Sequence, residues 1–239
     1  DPQVVKIAQN AAHYAVQKPD EVTDLVDFKQ PEISDTDLKA PIYIDFGPTS
    51  LSATPWNNIT SHQESSTTSW IKDVENNYTN IGVRVLDGFT ATHAGVGSEP
   101  ASPVTVDGVE FPLTAWKDGL LVKGEKNQGD VGPGRIEISQ LDVARKYNFT
   151  ILAIRFNGSK DARISSYKLV GKTESAVKEV KTGIKDAASF AAANFEEYIA
   201  KFENVEPDSE GKVIVEVKGL DTGSAAEGHI NALCISLAK

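Results

Sequence analysis

Three side chains able to do recognition chemistry stand side by side at Trp56, Asn57 and Asn58, in the run TPWNNIT. An indole offers an apolar face, and two carboxamides offer matched donors and acceptors. Together they suit a polar ring such as a sugar, its apolar face on the indole and its hydroxyl rim against the amides. The same residues can also fasten their own loop, with Trp56 plugging the end of a β-domain and the amides holding loop backbone. Both readings stay open at the level of sequence. Trp70, Tyr78 and Arg155 are further candidate ligand contacts, and Tyr43 and Trp116 are further aromatics.

Catalytic chemistry finds less to work with. The histidines are His13, His62, His93 and His229, and no His-Glu-x-x-His or Cys-x-x-Cys spacing marks a transition-metal site. There is no Gly-x-Ser-x-Gly nucleophile elbow. The glycine-rich GDVGPGR lacks the Lys-Ser/Thr that completes a phosphate loop. No catalytic residue is assigned, and the chain is not expected to be an enzyme. No cofactor is expected either. Calcium is the one metal considered, with Asp73, Glu75, Asn76 and Asn77 as oxygen donors that lack the EF-hand spacing. The single cysteine, Cys234, lies in an apolar run and reads as a buried thiol.

The charge balance excludes other partners. Against 24 Lys and Arg stand 34 Asp and Glu, a formal net charge of −10. Nucleic acids and anionic membrane surfaces call for a basic face, so neither is an expected partner. No apolar run approaches the ~20 residues that cross a bilayer, which argues against direct membrane insertion. The chain contains no methionine and shows no leader-like stretch, as expected of a mature or trimmed form, from which an export signal, if there was one, has been removed.

The candidate residues need a scaffold, and alternation supplies it. Ile42, Ile44 and Phe46 fall on one face of a strand, with Tyr43 and Asp45 on the other. Ile81, Val83 and Val85 alternate in the same way, then Asp87-Gly88 turns the chain. ATHAGVGSEPASP and GEKNQGDVGPG read as loops, and Asp107-Gly108 as the turn of a short hairpin. RIEISQL, SSYKLVGK, SAVKEVKTG, YIAKFENV, KVIVEVKGL and HINALCISLAK read as strands. KYNFTILAIRFNG is the longest, apolar on both faces as a strand covered on both sides would be. DAASFAAAN reads as a short helical insertion.

Residues 1–40 are set apart. A weak helical stripe runs from Val4 to Ala12, and an acidic stretch punctuated by Pro19, Pro31 and Pro41 follows. The expected organisation is an N-terminal arm or linker over 1–40 and one domain over 41–239. Many short strands, turn signals between them and no βαβ alternation predict an all-β antiparallel sandwich of jelly-roll type.

Four stretches carry a resemblance. IYIDFG with TPWNNIT, then VLDGF, then YNFTILAIRFNG with SSYKLVGK, then PDSEGKVIVEV with GHINALCISL occur in an order that resembles a galactose-binding-like β-sandwich module. Such modules recur in exported proteins of Bacteroidetes and related bacteria, often beside glycan-active enzymes. The resemblance covers residues 41–239. Where family members carry a Ser-Arg pair and a following Asn-Arg, this chain has Ala153-Ile154-Arg155-Phe156 and Asp161-Ala162-Arg163, so the arginine is kept in part and the neighbours depart.

The resemblance implies a non-catalytic, glycan- or polysaccharide-binding module of an exported protein, in the periplasm or at the cell surface. Other domains of a surface assembly are further partners it implies. Neutral sugars form no ion pairs, so such binding is expected to be weak and insensitive to salt. Two other readings stand beside it: a structural or protein-interaction sandwich without a sugar site, and a glycan-active hydrolase.

Overall fold

The computed structural model describes residues 38–123, 131–156, 163–220 and 227–239. The stripe from Val4 to Ala12, His13 and the acidic stretch, and also residues 124–130 and 157–162, lie outside the described residues.

The alternating stretches become strands. In chain order these are β1 (Ile42–Phe46), β2 (Trp56–Ile59), β3 (Thr67–Thr68), β4 (Gly82–Asp87), β5 (Ala91–His93), β6 (Val104–Val106), β7 (Val109–Phe111), β8 (Gly119–Lys123) and β9 (Val131–Ser139). They continue with β10 (Tyr147–Leu152), β11 (Arg155–Phe156), β12 (Ile164–Val170), β13 (Lys178–Lys181), β14 (Gly183–Ile184), β15 (Ile199–Val205), β16 (Val213–Leu220), β17 (Glu227–Ile230) and β18 (Ala232–Leu237). Helical turns occur at Leu113–Lys117, at Ala187–Ala191 and, as a 3₁₀ turn, at Phe195–Tyr198. The Asp186 carboxylate accepts the Ser189 N–H at 2.8 Å and starts the second of these.

Two sheets dominate. One has the order β15-β10-β18-β1-β2 and the other β13-β12-β16-β9-β4-β3. Pairing is antiparallel apart from β1 with β2 and β11 with β14. The chain is therefore an all-β antiparallel sandwich, as the alternation predicts. A smaller sheet, β17-β8-β5, and the β6–β7 hairpin complete it. The hairpin turns at Asp107-Gly108, where both residues have positive φ, 51° and 76°. That is the combination a two-residue turn matched to strand twist requires.

The core follows from the pleat. Ile42, Ile44, Phe46, Phe149 and Ile151 of the first sheet meet Val83, Val85, Ile136, Ile138, Val213, Val215 and Val217 of the second. Leu38 joins this core, so the described chain is already packed three residues before the expected domain start. On its other side the first sheet carries a second apolar layer. Leu152, Ile154, Ala232 and Cys234 lie there with Phe111, Trp116 and Phe190 from the hairpin and the helical turns. A sheet covered on both sides explains why KYNFTILAIRF is apolar on both faces.

Three expectations about strand limits are corrected. KYNFTILAIRFNG is not one strand, since β10 leaves the first sheet at Leu152 and β11 pairs with β14 instead. HINALCISL also divides, at Asn231, where β17 of the small sheet passes into β18 of the first. Finally, Ala91–His93 and Val131–Gly134, read as loop from their glycines and prolines, belong to β5 and β9. In each case pairing with a distant strand prevails over local composition.

Candidate functional site

Trp56, Asn57 and Asn58 sit on β2, an edge strand, and not in a loop. The pleat sends Trp56 to the outer face of the first sheet. Its ring lies 5.1 Å from that of Tyr43, its partner across β1, and 5.7 Å from that of Phe111. Asn57 points the other way. Its Nδ2 donates to Tyr43 O (2.9 Å) and Lys72 O (2.8 Å), and its Oδ1 accepts the Lys72 N–H (2.8 Å). Asn58 Oδ1 accepts the Ser52 N–H at 2.8 Å while its Nδ2 donates to Ser52 O at 2.9 Å. Both amides are thus engaged by backbone and the indole by aromatics.

Trp70 and Tyr78 lie on the hairpin that Asn57 fastens. Tyr78 is 48% exposed, with the Lys72 ammonium 4.5 Å over its ring. Trp70 is half-buried with a φ of 53°. The turn between them is closed by Asp73, which accepts the Glu75 and Asn77 N–H groups through Oδ1 and the Asn77 side-chain amide through Oδ2. Of the oxygens considered for calcium, those of Asp73 are thus engaged in their own turn. Among the described residues no group of three or more His, Cys, Asp or Glu gathers to hold a metal.

Arg155 is the sequence candidate that meets other charged side chains. It opens β11, and its Nη1 donates to Ala94 O at 3.1 Å and lies 3.3 Å from His93 Nδ1. Because a guanidinium only donates, this contact favours the tautomer with Nδ1 unprotonated. His93 ends β5 opposite Gly119 of β8, where a Cβ would come within 3.0 Å of His93 Nε2 and 2.5 Å of Ile230 O. Glycine is what lets the imidazole lie there. The ring of His229, from β17, stands edge-on to that of His93 with centroids 5.1 Å apart. Arg163 and Glu227, both nearly buried, form an ion pair with Nη1 2.8 Å from Oε2. Glu227 Oε2 is also 3.4 Å from His229 Nε2.

Asn231 fixes the floor of this cluster. Its Oδ1 accepts the Ile154 N–H at 2.7 Å, and its Nδ2 donates to Asp118 O (2.7 Å) and Trp116 O (2.9 Å). The breaks in KYNFTILAIRFNG and HINALCISL therefore meet at one amide. His229 is held by its backbone, with its N–H on Ser165 Oγ (3.0 Å) and its carbonyl accepting the Tyr167 hydroxyl.

Several nitrogens of this cluster are left unpaired. Arg155 Nε, Arg163 Nε and both nitrogens of His229 are buried without a hydrogen-bond partner, and Arg163 Nη1, although in ion-pair contact, is not aligned for one. The electrostatics agree. Burial lowers the pKa of His93 far below the usual imidazole value, and His229 and Arg155 lower it further. His229 is lowered as well, by burial more than Glu227 restores. Burial works against the Glu227 charge, but the contacts with His229 and Arg163 outweigh it and hold its pKa at about 2.

A second buried polar pair lies at the other end of Asn231's reach. Asp45 and Asp118 are fully buried. Asp45 Oδ2 accepts the Ser52 N–H (3.0 Å), and Asp118 Oδ2 accepts those of Thr49 and Ser50 (2.7 and 3.1 Å). Each has its Oδ1 unpaired. Burial, with Asp118 nearby, brings the Asp45 carboxyl up to about 7. These acids hold the turn that follows β1. A groove of about 290 Å³ on the outer face of the second sheet adds little, because Lys168 and Glu216 within it already pair at 3.2 Å.

Sequence reasoning passes over His93, Arg163, Glu227, His229, Asn231, Asp45 and Asp118. The one signal available was Arg155, where the arginine of the resembled pattern is kept in part. The others are brought together by topology alone.

No protein-family model matches the chain, and no curated protein matches it. Among solved structures, TmCBM61 in complex with beta-1,4-galactotriose is similar over 51% of this chain and 71% of its own, at 13% identity and a TM-score of 0.31. At that level of similarity neither a shared ligand nor a shared site follows.

Proposed function

We propose that the chain is a non-catalytic glycan-binding module of an exported or surface-anchored protein, and that it contacts its ligand around Arg155 and His93 and not through Trp56, Asn57 and Asn58. The observation that carries this reading is Arg155, half-buried on β11 with its Nη1 fixed on the carbonyl of exposed Ala94 at 3.1 Å. Sugars are rich in oxygen acceptors, and donors held on strands meet them without losing side-chain entropy. Binding is favoured over catalysis because the carboxylate of the cluster, Glu227, is already committed to Arg163 and His229. Glycoside hydrolysis asks for two carboxylates flanking an open bond, and the buried Asp45 and Asp118 offer no such opening.

A glycan array that includes neutral and acidic polysaccharides, followed by calorimetry on the hits, tests this. Binding that is lost in Arg155→Gln and kept in Trp56→Phe is expected. Absence of binding across the array would sink the glycan reading and favour an interaction or spacer role.

A further inference from the structure

We infer that Glu99 is a positioning residue of the Arg155 site: it closes the loop whose Ala94 carbonyl holds the guanidinium, without itself touching a ligand. This rests on the glycan reading above and deepens it, by naming what fixes the contact residue.

Arg155 Nη1 has two neighbours, Ala94 O at 3.1 Å and His93 Nδ1 at 3.3 Å. They are not held alike. His93 is buried in β5 and paired with Gly119 of β8. Ala94 is exposed and lies one residue past the end of that strand. Its carbonyl is therefore only as fixed as the loop that follows, and exposed loops without a ladder behind them open readily.

One side chain fastens that loop. Glu99 accepts the Val96 N–H through Oε1 and the Gly97 N–H through Oε2, the latter at 2.9 Å. Hydrogen bonds to a carboxylate are the stronger kind. Gly97 turns the chain at a φ of 82°. Gly95 lets the carboxylate come in. A Cβ there would collide with Glu99 Oε1 and stand 2.6 Å from Lys117 Cγ and Cε. Glu99 and the stem of Lys117, from the helical turn Leu113–Lys117, thus both close on the bare side of Gly95. The placement suits charge as well, since the Glu99 carboxylate is within electrostatic reach of Arg155 and favours its charged form.

Without this carboxylate the two N–H groups turn to water, the loop relaxes and Ala94 no longer anchors the guanidinium. A ligand would then have to order the Arg155 head on binding, which weakens the complex.

The test uses the whole chain, Glu99→Ala, Gly95→Ala and the double variant. Gly95→Ala keeps the charge of Glu99 and displaces its carboxylate. In ligand-free protein, proton–nitrogen NMR follows amide exchange at Val96 and Gly97 and the Arg155 Nε–H resonance. In both single variants exchange at these amides is expected to quicken about tenfold or more, while amides of β10 and β16 keep their parent rates. The Arg155 resonance is expected to shift or broaden, which a carboxylate that only tidied its own loop would not cause. The double variant should add little to either single one, because both remove one carboxylate from one seat. On an array of neutral and acidic polysaccharides, affinity for the glycans that the parent binds is expected to fall about tenfold in Glu99→Ala. An Arg155 resonance unmoved in Glu99→Ala overturns the inference, and so does parent-like affinity across the array. A parent that binds no glycan sinks the glycan reading alone, because the NMR comparison still decides whether Glu99 holds Arg155 in place.

Discussion

The side chain of Asn57 pairs with the backbone of Lys72 as a neighbouring strand would, accepting its N–H and donating to its carbonyl, both at 2.8 Å. β2 is an edge strand, and this amide is how the hairpin carrying Trp70 and Tyr78 is attached to it. Asn57→Ala would leave the Tyr43 and Lys72 carbonyls and the Lys72 N–H without their partner. A loss of about 2–3 kcal/mol is expected from three such bonds in a half-buried setting. Urea unfolding measures it, and a change below about 0.5 kcal/mol would show that water replaces the amide without penalty.

Trp56 makes the matching case for the indole. It packs on Tyr43 and Phe111, so Trp56→Ala is expected to cost about 2–3 kcal/mol, below the range for a fully buried Trp because the ring is half-exposed. Glycan affinity of the folded variant should be unchanged. A variant as stable as the parent that has lost its ligand would return Trp56 to the binding surface.

The sandwich was legible because alternation is a local signal. Ile42, Ile44 and Phe46 declare their shared face within five residues, and Asp107-Gly108 declares its turn within two. Of the proposed ligand contacts, only Arg155 was legible. His93 lies 62 residues from Arg155 and Asn231 lies 77 from Ile154, so nothing in their surroundings announces that they meet. Trp56-Asn57-Asn58 drew attention as a compact polar-aromatic set, yet compactness in sequence sent Trp56 and Asn57 to opposite faces of one strand. Strand ends were misjudged at Leu152 and Asn231 because the chain changes sheets there without a glycine or proline to mark it.

The buried imidazoles set an acid limb to stability. Burial first, then the nearby His229 and Arg155, lower the His93 pKa in the folded state. A depressed imidazole contributes stability that is present above the unfolded value near 6.5 and is lost as pH falls below it. Each such proton adds a slope of about 1.4 kcal/mol per pH unit. His93→Asn keeps an acceptor near the Nδ1 position and should reduce the slope between pH 5 and 6.5 by up to one proton, whatever the variant's overall stability. Urea midpoints in half-unit pH steps give the slope. One equal to the parent's would show that His93 does not titrate with unfolding.

Asp45 works in the opposite direction. Its carboxyl is raised to about 7, by burial first, with the proximity of Asp118 adding to it. A carboxyl raised above its unfolded value favours the protonated folded form, so its contribution is complete below about pH 4 and is lost as pH rises through 7. The three-unit displacement corresponds to roughly 4 kcal/mol across that window. Asp45→Asn presents a permanently neutral isostere whose Oδ1 can still accept the Ser52 N–H. The variant should match the parent near pH 5 and exceed it by about 2–4 kcal/mol at pH 8, as measured by urea unfolding at both values. Parent and variant running parallel from pH 5 to 8 would mean that Asp45 is ionised throughout.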